Sequence, residues 1–536
     1  MWLLFAASGL LLLLACANVT NLLLARATAR GHELALRRAL GAAPGRLARQ
    51  TLAESLLLAS IGGAAGVVLA VPLVRIARAF LQPDLPAWMT ITLDVRVLLF
   101  AIAVTLLTAV VAGAAPAVEA FGASMATSIR GAARGQDDGP TQRSWRTLLI
   151  VGQVALASLL LVAAGVMVRT WINLQAATPG FDADRLLTFR VDPPAGLFPR
   201  TAEAAEFYRR AIERLAVLPG AEAAATNENL PLAGQHLVTQ TIALEGQDAA
   251  AQARNPFITV QTISDNYLRV MRVPLVRGRA FTPHDLGHTT PVALVSRALG
   301  ARLWGDADPI GRRVRLGGTQ ADAIWREVVG IADDVRHASL AAGPSLDLYV
   351  PQTQRFANDT YFVVRTRQDP RTLEDAAARA VREVYADQSI FDVRPMTARA
   401  ADTVARQRAS QTVFVGFAAL ALLLAAVGLF GVMSFAVSRR TREIGLRMAI
   451  GASPDRVRWA IVRQGLTWVA AGLALGLLTA LPSMRLLAGL LYGVTPADPV
   501  SYAAAAVVLF AAGWLACELP ARRAMRVDPL IALKQE

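Results

Sequence analysis

Few side chains in this sequence have types and spacings suited to chemistry. His284, Asp285 and His288 set two imidazoles at i, i+4 around a carboxylate, a spacing by which a helix can present zinc ligands. Thr282-Pro283 before them and Gly287 among them indicate a loop, so these side chains read as solvated surface polar groups. Asp333-Asp334 and the Asp306/Asp308 pair could act as paired carboxylates, but their contexts are turn-like and lack a base, nucleophile or histidine. A phosphate-cradling G-x-x-x-x-G-K-[ST] loop needs a lysine after glycine, and the lone lysine is Lys534, which follows Leu533. No Walker-type ATPase, metal site or cofactor site is expected, and the chain does not read as an enzyme.

A second kind of signal is written twice. Residues 30–46 align without gaps on residues 440–456, an offset of 410. Arg30/Arg440, Glu33/Glu443, Leu36/Leu446, Arg37/Arg447, Gly41/Gly451, Pro44/Pro454 and Arg46/Arg456 are among the identical pairs. Glu33–Leu40 and Glu443–Ile450 read as short helices stopped by glycines suited to the left-handed position after a helix end. Pro44 and Pro454 fit the first turn of the following helix, with Ser453 as an N-cap. Leu446 and Ile450 share one face at i, i+4, an apolar stripe beside Arg and Glu. A helix held on the lipid surface by arginines is the bland alternative. Duplication of Glu, Leu, Arg and Gly in register argues for two copies of a docking surface.

The register continues into the next helix. Gly62 and Gly66 match Gly472 and Gly476, two G-x-x-x-G motifs that would let helix backbones approach closely. Pro72 matches Pro482, and at an offset of 404 Asp94 and Pro116 match Asp498 and Pro520. Two homologous membrane modules share one chain.

The elements that must position these residues follow from composition. The 536 residues are 54% hydrophobic and 18% charged, with mean hydropathy +0.42. Soluble domains average about 25% charged residues, so a mostly water-exposed or disordered chain is excluded. Apolar runs near spanning length give about seven membrane helices: Leu3–Leu24, Leu52–Val74, Val97–Val118, Thr147–Val168, Val413–Val437, Ile461–Leu481 and Ser501–Cys517. Glu54, Arg463 and Glu518 lie near their ends, and none stands mid-membrane where a proton relay would need it. Asn18, Asn21 and Gln153 read as helix-packing polar groups. Cys16 and Cys517 both sit in apolar runs, so the polar part has no disulfide framework.

Arg169–Ser410, between the fourth and fifth spans, is long enough for one or two folded domains. Arg185–Val191 and Phe362–Arg367 pattern as strands, and Glu203–Leu218 and Leu373–Tyr385 as amphipathic helices. The expected fold class is an α-helical multi-pass membrane protein with two homologous modules and one large α+β extracytoplasmic domain. Its expected divisions are residues 1–140, 141–170, 171–410 and 411–536.

Net charge is +14, from 54 Lys+Arg against 40 Asp+Glu. The excess is arginine in loops between spans, which marks cytoplasmic segments rather than a nucleic-acid surface. The loops after the first and fifth spans, Glu119–Arg146 and the tail with Arg522, Arg523 and Arg526 are then cytoplasmic. The large domain and the links around Pro83–Pro86 and Pro496–Pro499 are external. This places the N-terminus outside as well. Leu13-Leu14-Ala15-Cys16 resembles a lipoprotein cleavage box, but no basic residue precedes the apolar run. An upstream helix is the expectation that reconciles the charge rule with that start.

At the duplicated E-[IL]-x-L-R-x-A-[IL]-G-A-x-P motif, and at Pro520–Leu533, the chain resembles the FtsX/MacB-like family of ABC-transporter permeases. Its external part is similar to the family's periplasmic core domain through Tyr267–Phe281, Asp308–Arg313, Glu327–Arg336 and Leu348–Pro351. The duplication is similar to the duplicated orphan permease branch, although the first module lacks a leading helix and external domain. The resemblance implies a permease or mechanotransmission subunit of an export system in the bacterial inner membrane. It implies a separate cytoplasmic ATPase dimer of the MacB or LolD type docked on Glu33, Leu36, Arg37 and Gly41 and on Glu443, Leu446, Arg447 and Gly451. The bilayer and a periplasmic adaptor complete the implied partners. A secondary transporter is disfavoured by the uncharged interior, and a membrane-anchored external binding or sensor protein without ATP coupling stands as the alternative.

Overall fold

The computed structural model describes residues 2–29, 37, 44–81, 94–122, 140–193, 201–234, 239–317, 324–355, 357, 360–385, 388, 390–439, 444, 446, 448, 450 and 453–525. The chain runs through helices α1 (Trp2–Ala29), α2 (Pro44–Leu81), α3 (Val95–Gly122) and α4 (Pro140–Gln175). It continues β1 (Leu186–Val191), α5 (Thr201–Ala216), β2 (Ala221–Asn227), β3 (Thr239–Gln240), β4 (Ile242–Leu244), α6 (Ala249–Gln252), β5 (Ile258–Ile263), α7 (Tyr267–Met271) and β6 (Leu275–Gly278). Then follow β7 (Val292–Ser296), α8 (Arg297–Trp304), β8 (Arg313–Leu316), β9 (Trp325–Ala332), β10 (Asp347–Pro351), β11 (Thr360–Thr366), α9 (Glu374–Val384) and β12 (Ile390–Pro395). Helices α10 (Met396–Arg439), α11 (Pro454–Arg485) and α12 (Pro499–Met525) close the chain. It divides into two units, Met1–Asn173 with Gln407–Glu536, and Leu174–Arg406.

The first unit is helical. Six of its helices are long and apolar enough to cross a membrane, within α1, α2, α4, α10, α11 and α12. In α3 the described apolar part, Val95–Val110, is shorter, although the helix itself runs to Gly122. The repeat is visible in three dimensions. α2 and α11 begin at Pro44 and Pro454, 410 residues apart, and α3 and α12 begin at Val95 and Pro499, 404 apart. The two copies are packed unequally. One continuous core joins α1, α4, α10, α11 and α12 through residues such as Leu14, Val154, Ala421, Val469 and Leu509. In contrast, α2 keeps Leu57, Ile61, Val68 and Leu73 exposed. Such apolar exposure is expected of a helix surrounded by lipid.

The second unit is one mixed sheet in the order β12-β1-β11-β2-β5-β10-β7-β9-β8-β4, with β3 on β5 and β6 on β9. β10 runs parallel to β5 and β7 parallel to β9, while the other pairs are antiparallel. The central strands β5, β7, β10 and β11 are buried along their whole length because both faces are covered. On one face α5 and α9 lay Phe207, Tyr208, Leu215 and Val381 over Phe189 and Phe362, whose rings stack at 5.4 Å. On the other, α7 contributes Tyr267, Val270 and Met271. Gly278, at φ +78°, lets β6 turn close against β9, and a side chain at Gly330 would stand 2.6 Å from the Arg279 carbonyl oxygen. That contact gives the glycines of the Tyr267–Phe281 and Glu327–Arg336 motifs a physical reason.

Candidate functional site

The expected coupling turn of the second module is partly described. Ile444 is buried with Val457 and packs against Val437, Met448 and Ile461. Leu446 is half-exposed and Ile450 is 78% exposed, and the Ile450 N–H donates to the Leu446 carbonyl at 3.0 Å, one turn of helix. One edge of this turn therefore anchors to α10 and α11 while two large apolar side chains point away. Exposed apolar pairs beside charged residues are a usual mark of a contact surface. Glu33, Leu36, Gly41, Glu443, Arg447 and Gly451 lie outside the described residues. Arg37 is exposed, and its Nη1 donates to Gln50 Oε1 at 3.2 Å on α2, where Gln50 Nε2 in turn donates to Glu54 at 3.4 Å.

Near this turn, buried Glu518 of α12 is paired with Arg522 at 2.8 Å and Arg458 of α11 at 3.7 Å. Arg523 lies over the Phe430 ring of α10 at 5.6 Å. Helices α10, α11 and α12 are thus tied together by contacts of charged side chains.

The helix-packing glycines divide by module. A Cβ at Gly472 would lie 2.7 Å from the Val151 carbonyl oxygen and 2.6 Å from Val154, and one at Gly476 would lie 2.6 Å from the Ala155 oxygen. α4 is seated there backbone to backbone. Gly62 and Gly66, by contrast, are exposed, and a Cβ added at either would meet nothing within 4 Å. The close packing expected of that pair is therefore absent among the described residues; Gly63 instead approaches Thr105 of α3. The difference has a simple cause, since the helix that fills the groove of the second module has no described counterpart on the first.

Sequence reasoning missed one pairing within this unit. Arg169, near the end of α4, pairs with buried Asp498, which also accepts from Ser501 N at 2.9 Å and Ser501 Oγ at 2.6 Å to cap α12. Asp498 had a signal, the Asp-x-x-Ser spacing of an N-cap. Its partner had none. Asn18 Nδ2 donates to the Leu424 carbonyl at 2.7 Å, and a side chain at Gly428 would run into Asn18 and Gln153.

In the external unit the candidate acids are structural. Asp285 accepts from Arg279 at 2.9 and 3.0 Å and from Thr282 N at 2.8 Å, while His284 and His288 are exposed. Asp333 pairs with Arg297, Asp308 pairs with Arg277, and Asp334 accepts from Ala298 N at the start of α8. Among the described residues no group of His, Cys, Asp and Glu could hold a metal. A cavity of about 220 Å³ is lined by Glu228, Asn229, Leu230, Gly234, His337 and Tyr361, and the buried His337 stands 3.2 Å from buried Asp347.

Residues 97–384, more than half of the chain, match the MacB-like periplasmic core domain. Residues 5–125 and again 415–529 match the FtsX-like permease C-terminal family. The chain belongs to the MacB-like, FtsX-like ABC-transporter permease family. It is a multi-pass membrane protein with an extracellular-type domain of that family. YknZ of Bacillus subtilis, an uncharacterised ABC transporter permease, is 24% identical over 365 residues, covering 62% of this chain and 84% of that protein. MacB of Azoarcus sp., a macrolide export ATP-binding/permease protein, is 28% identical over 294 residues. That alignment covers 52% of this chain and 42% of MacB, so the chain spans less than half of that relative. It matches the permease part. The solved periplasmic region of MacB from Actinobacillus actinomycetemcomitans aligns at 13% identity and a TM-score of 0.28, covering 41% of this chain and 92% of that one.

Proposed function

We propose that this permease-family chain is the membrane subunit of an ATP-driven export or mechanotransmission complex. A separate cytoplasmic ATPase dimer, of the MacB or LolD type, engages the two equivalent turns at Glu33–Gly41 and Glu443–Gly451. Its closure moves the membrane helices and, through them, the external domain. The observation that carries this reading is the turn around Leu446. Ile444 fastens it to the membrane helices, while Leu446 and Ile450 face outward. Duplication supplies a second seat in the same chain, which suits a two-fold partner.

Three further features support it. Residues 1–140 and 411–536 form the paired modules, with 141–170 leading into an external domain at 171–410. Arginine placement favours a cytoplasmic side for the turns and the C-terminus, and the family likeness favours a bacterial inner membrane with the domain beyond it. Helix α10 is one continuous element from Met396 to Arg439.

The test is recovery of a P-loop ATPase with the tagged full chain purified from its native membrane. Glu443→Arg or Arg447→Glu should lower that recovery while leaving membrane insertion intact. Removing one partner of a desolvated charge pair costs about 2–5 kcal/mol. A turn that merely lies on lipid would leave that recovery unchanged, since an added arginine at Glu443 only strengthens headgroup attraction, by about 1 kcal/mol. Unchanged ATPase recovery with Glu443→Arg would refute the coupling role.

A further inference from the structure

The cavity of about 220 Å³ in the external unit is lined by two loops. One follows β2 and brings Glu228, Leu230 and Ala233. The other joins β9 to β10 and brings His337 and Ala338, with Tyr361 of β11 beside them. These loops are fastened to each other and to the sheet. Leu232 N donates to the His337 carbonyl oxygen at 2.8 Å. Asn229 Nδ2 donates to the Val260 carbonyl oxygen at 2.6 Å, and Asn227 Nδ2 to the Tyr267 hydroxyl at 2.8 Å. Leu232 is held at φ +60°, a left-handed conformation uncommon for leucine. Hydrogen bonds therefore fix the walls, which do not depend on surface side chains closing over the space.

Charge around the cavity does not balance. Glu228 Oε2 accepts from Thr262 Oγ1 at 2.7 Å and is paired with Arg355, which leaves Oε1 without a donor among the described residues. Asp347 is fully buried; its Oδ1 accepts from Gln261 Nε2 at 3.3 Å. Its Oδ2 stands 3.2 Å from His337 Nε2 but makes no aligned hydrogen bond. Gln261 is fully buried too, and its Oε1 has no donor among the described residues. Arg399, over the Tyr361 ring at 5.5 Å, is occupied by Asp392 at 2.7 Å. With His337 neutral, two carboxylates face one guanidinium, and the surplus is of acceptors and negative charge. Water supplies donors but leaves that charge uncompensated, whereas a cation with N–H groups answers both.

We infer that this cavity is a binding site for a small primary amine, in its ammonium form, with an apolar body. The ammonium donates to Glu228 Oε1, and Leu230, Ala233, Ala338 and the Tyr361 ring take the body. A cavity of about 150 Å³ suffices for benzene, so one of about 220 Å³ admits a ring with a short aminoalkyl arm. A metal ion fits less well, because among the described residues no three His, Cys, Asp or Glu side chains converge. An anion would add to the negative surplus.

The test uses the full chain in phosphatidylcholine nanodiscs and radiolabelled tyramine, an arylethylamine of the size the cavity admits. Saturable binding above that of empty nanodiscs is expected, displaced by unlabelled tyramine. Displacement by para-propylphenol, which keeps the outline without the charge, should be at least about tenfold weaker. Para-hydroxyphenylpropionate, which reverses the charge, should not compete. Glu228→Gln should weaken binding about tenfold. Because that change also releases Arg355, a second variant leaves the ion pair intact. Ala338→Phe places a ring at an exposed position of the lining, so the chain should elute as the parent does in size exclusion yet no longer bind tyramine. No saturable tyramine binding by the parent, displacement by the carboxylate as readily as by the amine, or undiminished binding by either variant would each overturn the proposal.

Discussion

Asn18 of α1 lies against Gly428 of α10, the residue that occupies its own position in the other half, since 428 − 410 = 18. The neighbouring contact runs the same way, for Gly431 approaches Leu22 as α1 and α10 pass each other. The two modules therefore meet along the helices that open each of them. Only one member of the pair can carry a side chain at this crossing, and the sequence places the amide on α1 and the glycine on α10. Gly428→Leu should force the helices apart and cost roughly 1–3 kcal/mol through overpacking. Asn18→Gly added to that variant, which clears the facing position, should rescue part of that loss. Reversible unfolding in mixed micelles reads both, and a Gly428→Leu chain as stable as the parent would remove this contact as the junction between halves.

Asn21 provides a contrasting case one turn further on. It is buried, and neither its Nδ2 nor its Oδ1 finds a partner among the described residues. A buried amide left unpaired costs stability, and its replacement by an apolar isostere is commonly neutral or favourable. Asn21→Leu should therefore leave the unfolding midpoint unchanged or raise it, whereas Asn18→Leu loses the bond to Leu424 and should lower stability by about 0.6–1.7 kcal/mol. If the two substitutions behave alike, the distinction between a paired and an unpaired intramembrane amide has no energetic content here.

The repeated glycines should separate in the same way. Gly476→Leu inserts a side chain where the Ala155 carbonyl oxygen already stands, so folded yield should fall sharply, with a cost of at least about 1–3 kcal/mol. Gly66→Leu meets open space and should change the purified chain by no more than about 0.5 kcal/mol. Fluorescence-detected size exclusion of both variants gives the comparison directly. Equal losses would mean that the first-half groove is filled in the isolated chain.

At the other end of α4, order of severity is the diagnostic. Arg169→Ala leaves the Asp498 carboxylate buried without its cation and should be the worst of the series, about 2 kcal/mol once the partial exposure of Arg169 is allowed for. Asp498→Asn keeps a cap on Ser501 and removes the charge, so it should be milder. Combining the two should recover most of what Arg169→Ala lost. A double variant worse than Arg169→Ala would show that the pair is not what holds this corner.

The parts legible in sequence are those encoded locally. Uncharged runs of spanning length mark six of the expected spans, and the external strands at 186–191 and 360–366 and helices at 201–216 and 374–384 follow their short periodicities. The repeat is legible because gapless identity needs no fold. What escapes depends on distance in the chain. Arg169 and Asp498 are separated by 329 residues, and neither residue's neighbourhood names the other. G-x-x-x-G records that a backbone can be approached, not by what, which is why two matched motifs end in opposite surroundings. The Leu446 and Ile450 stripe follows from spacing, and their outward placement accompanies Ile444 and Met448 turning inward.

Acid should act on the external unit through Asp285. Its burial would by itself raise the carboxyl's pKa, but the Arg279 guanidinium and the Thr282 N–H and hydroxyl outweigh that and hold it below the ordinary carboxylate value of 3.8. A carboxylate whose folded pKa is depressed contributes stability that is present above the unfolded pKa and is lost as pH falls through the folded one. The Thr282–Asp285 loop should therefore keep its protection at neutral pH and begin to lose it below about pH 4. The size of the loss should be near 1 kcal/mol, because Arg279 is half in water and screened. Asp285→Asn removes the titrating group, so its loop should be less protected at neutral pH and nearly flat across the acid range. Hydrogen exchange of the segment 279–290 between about pH 3 and pH 7, corrected for intrinsic rates, measures both curves. Parallel pH slopes in parent and variant would assign the acid response to another carboxylate.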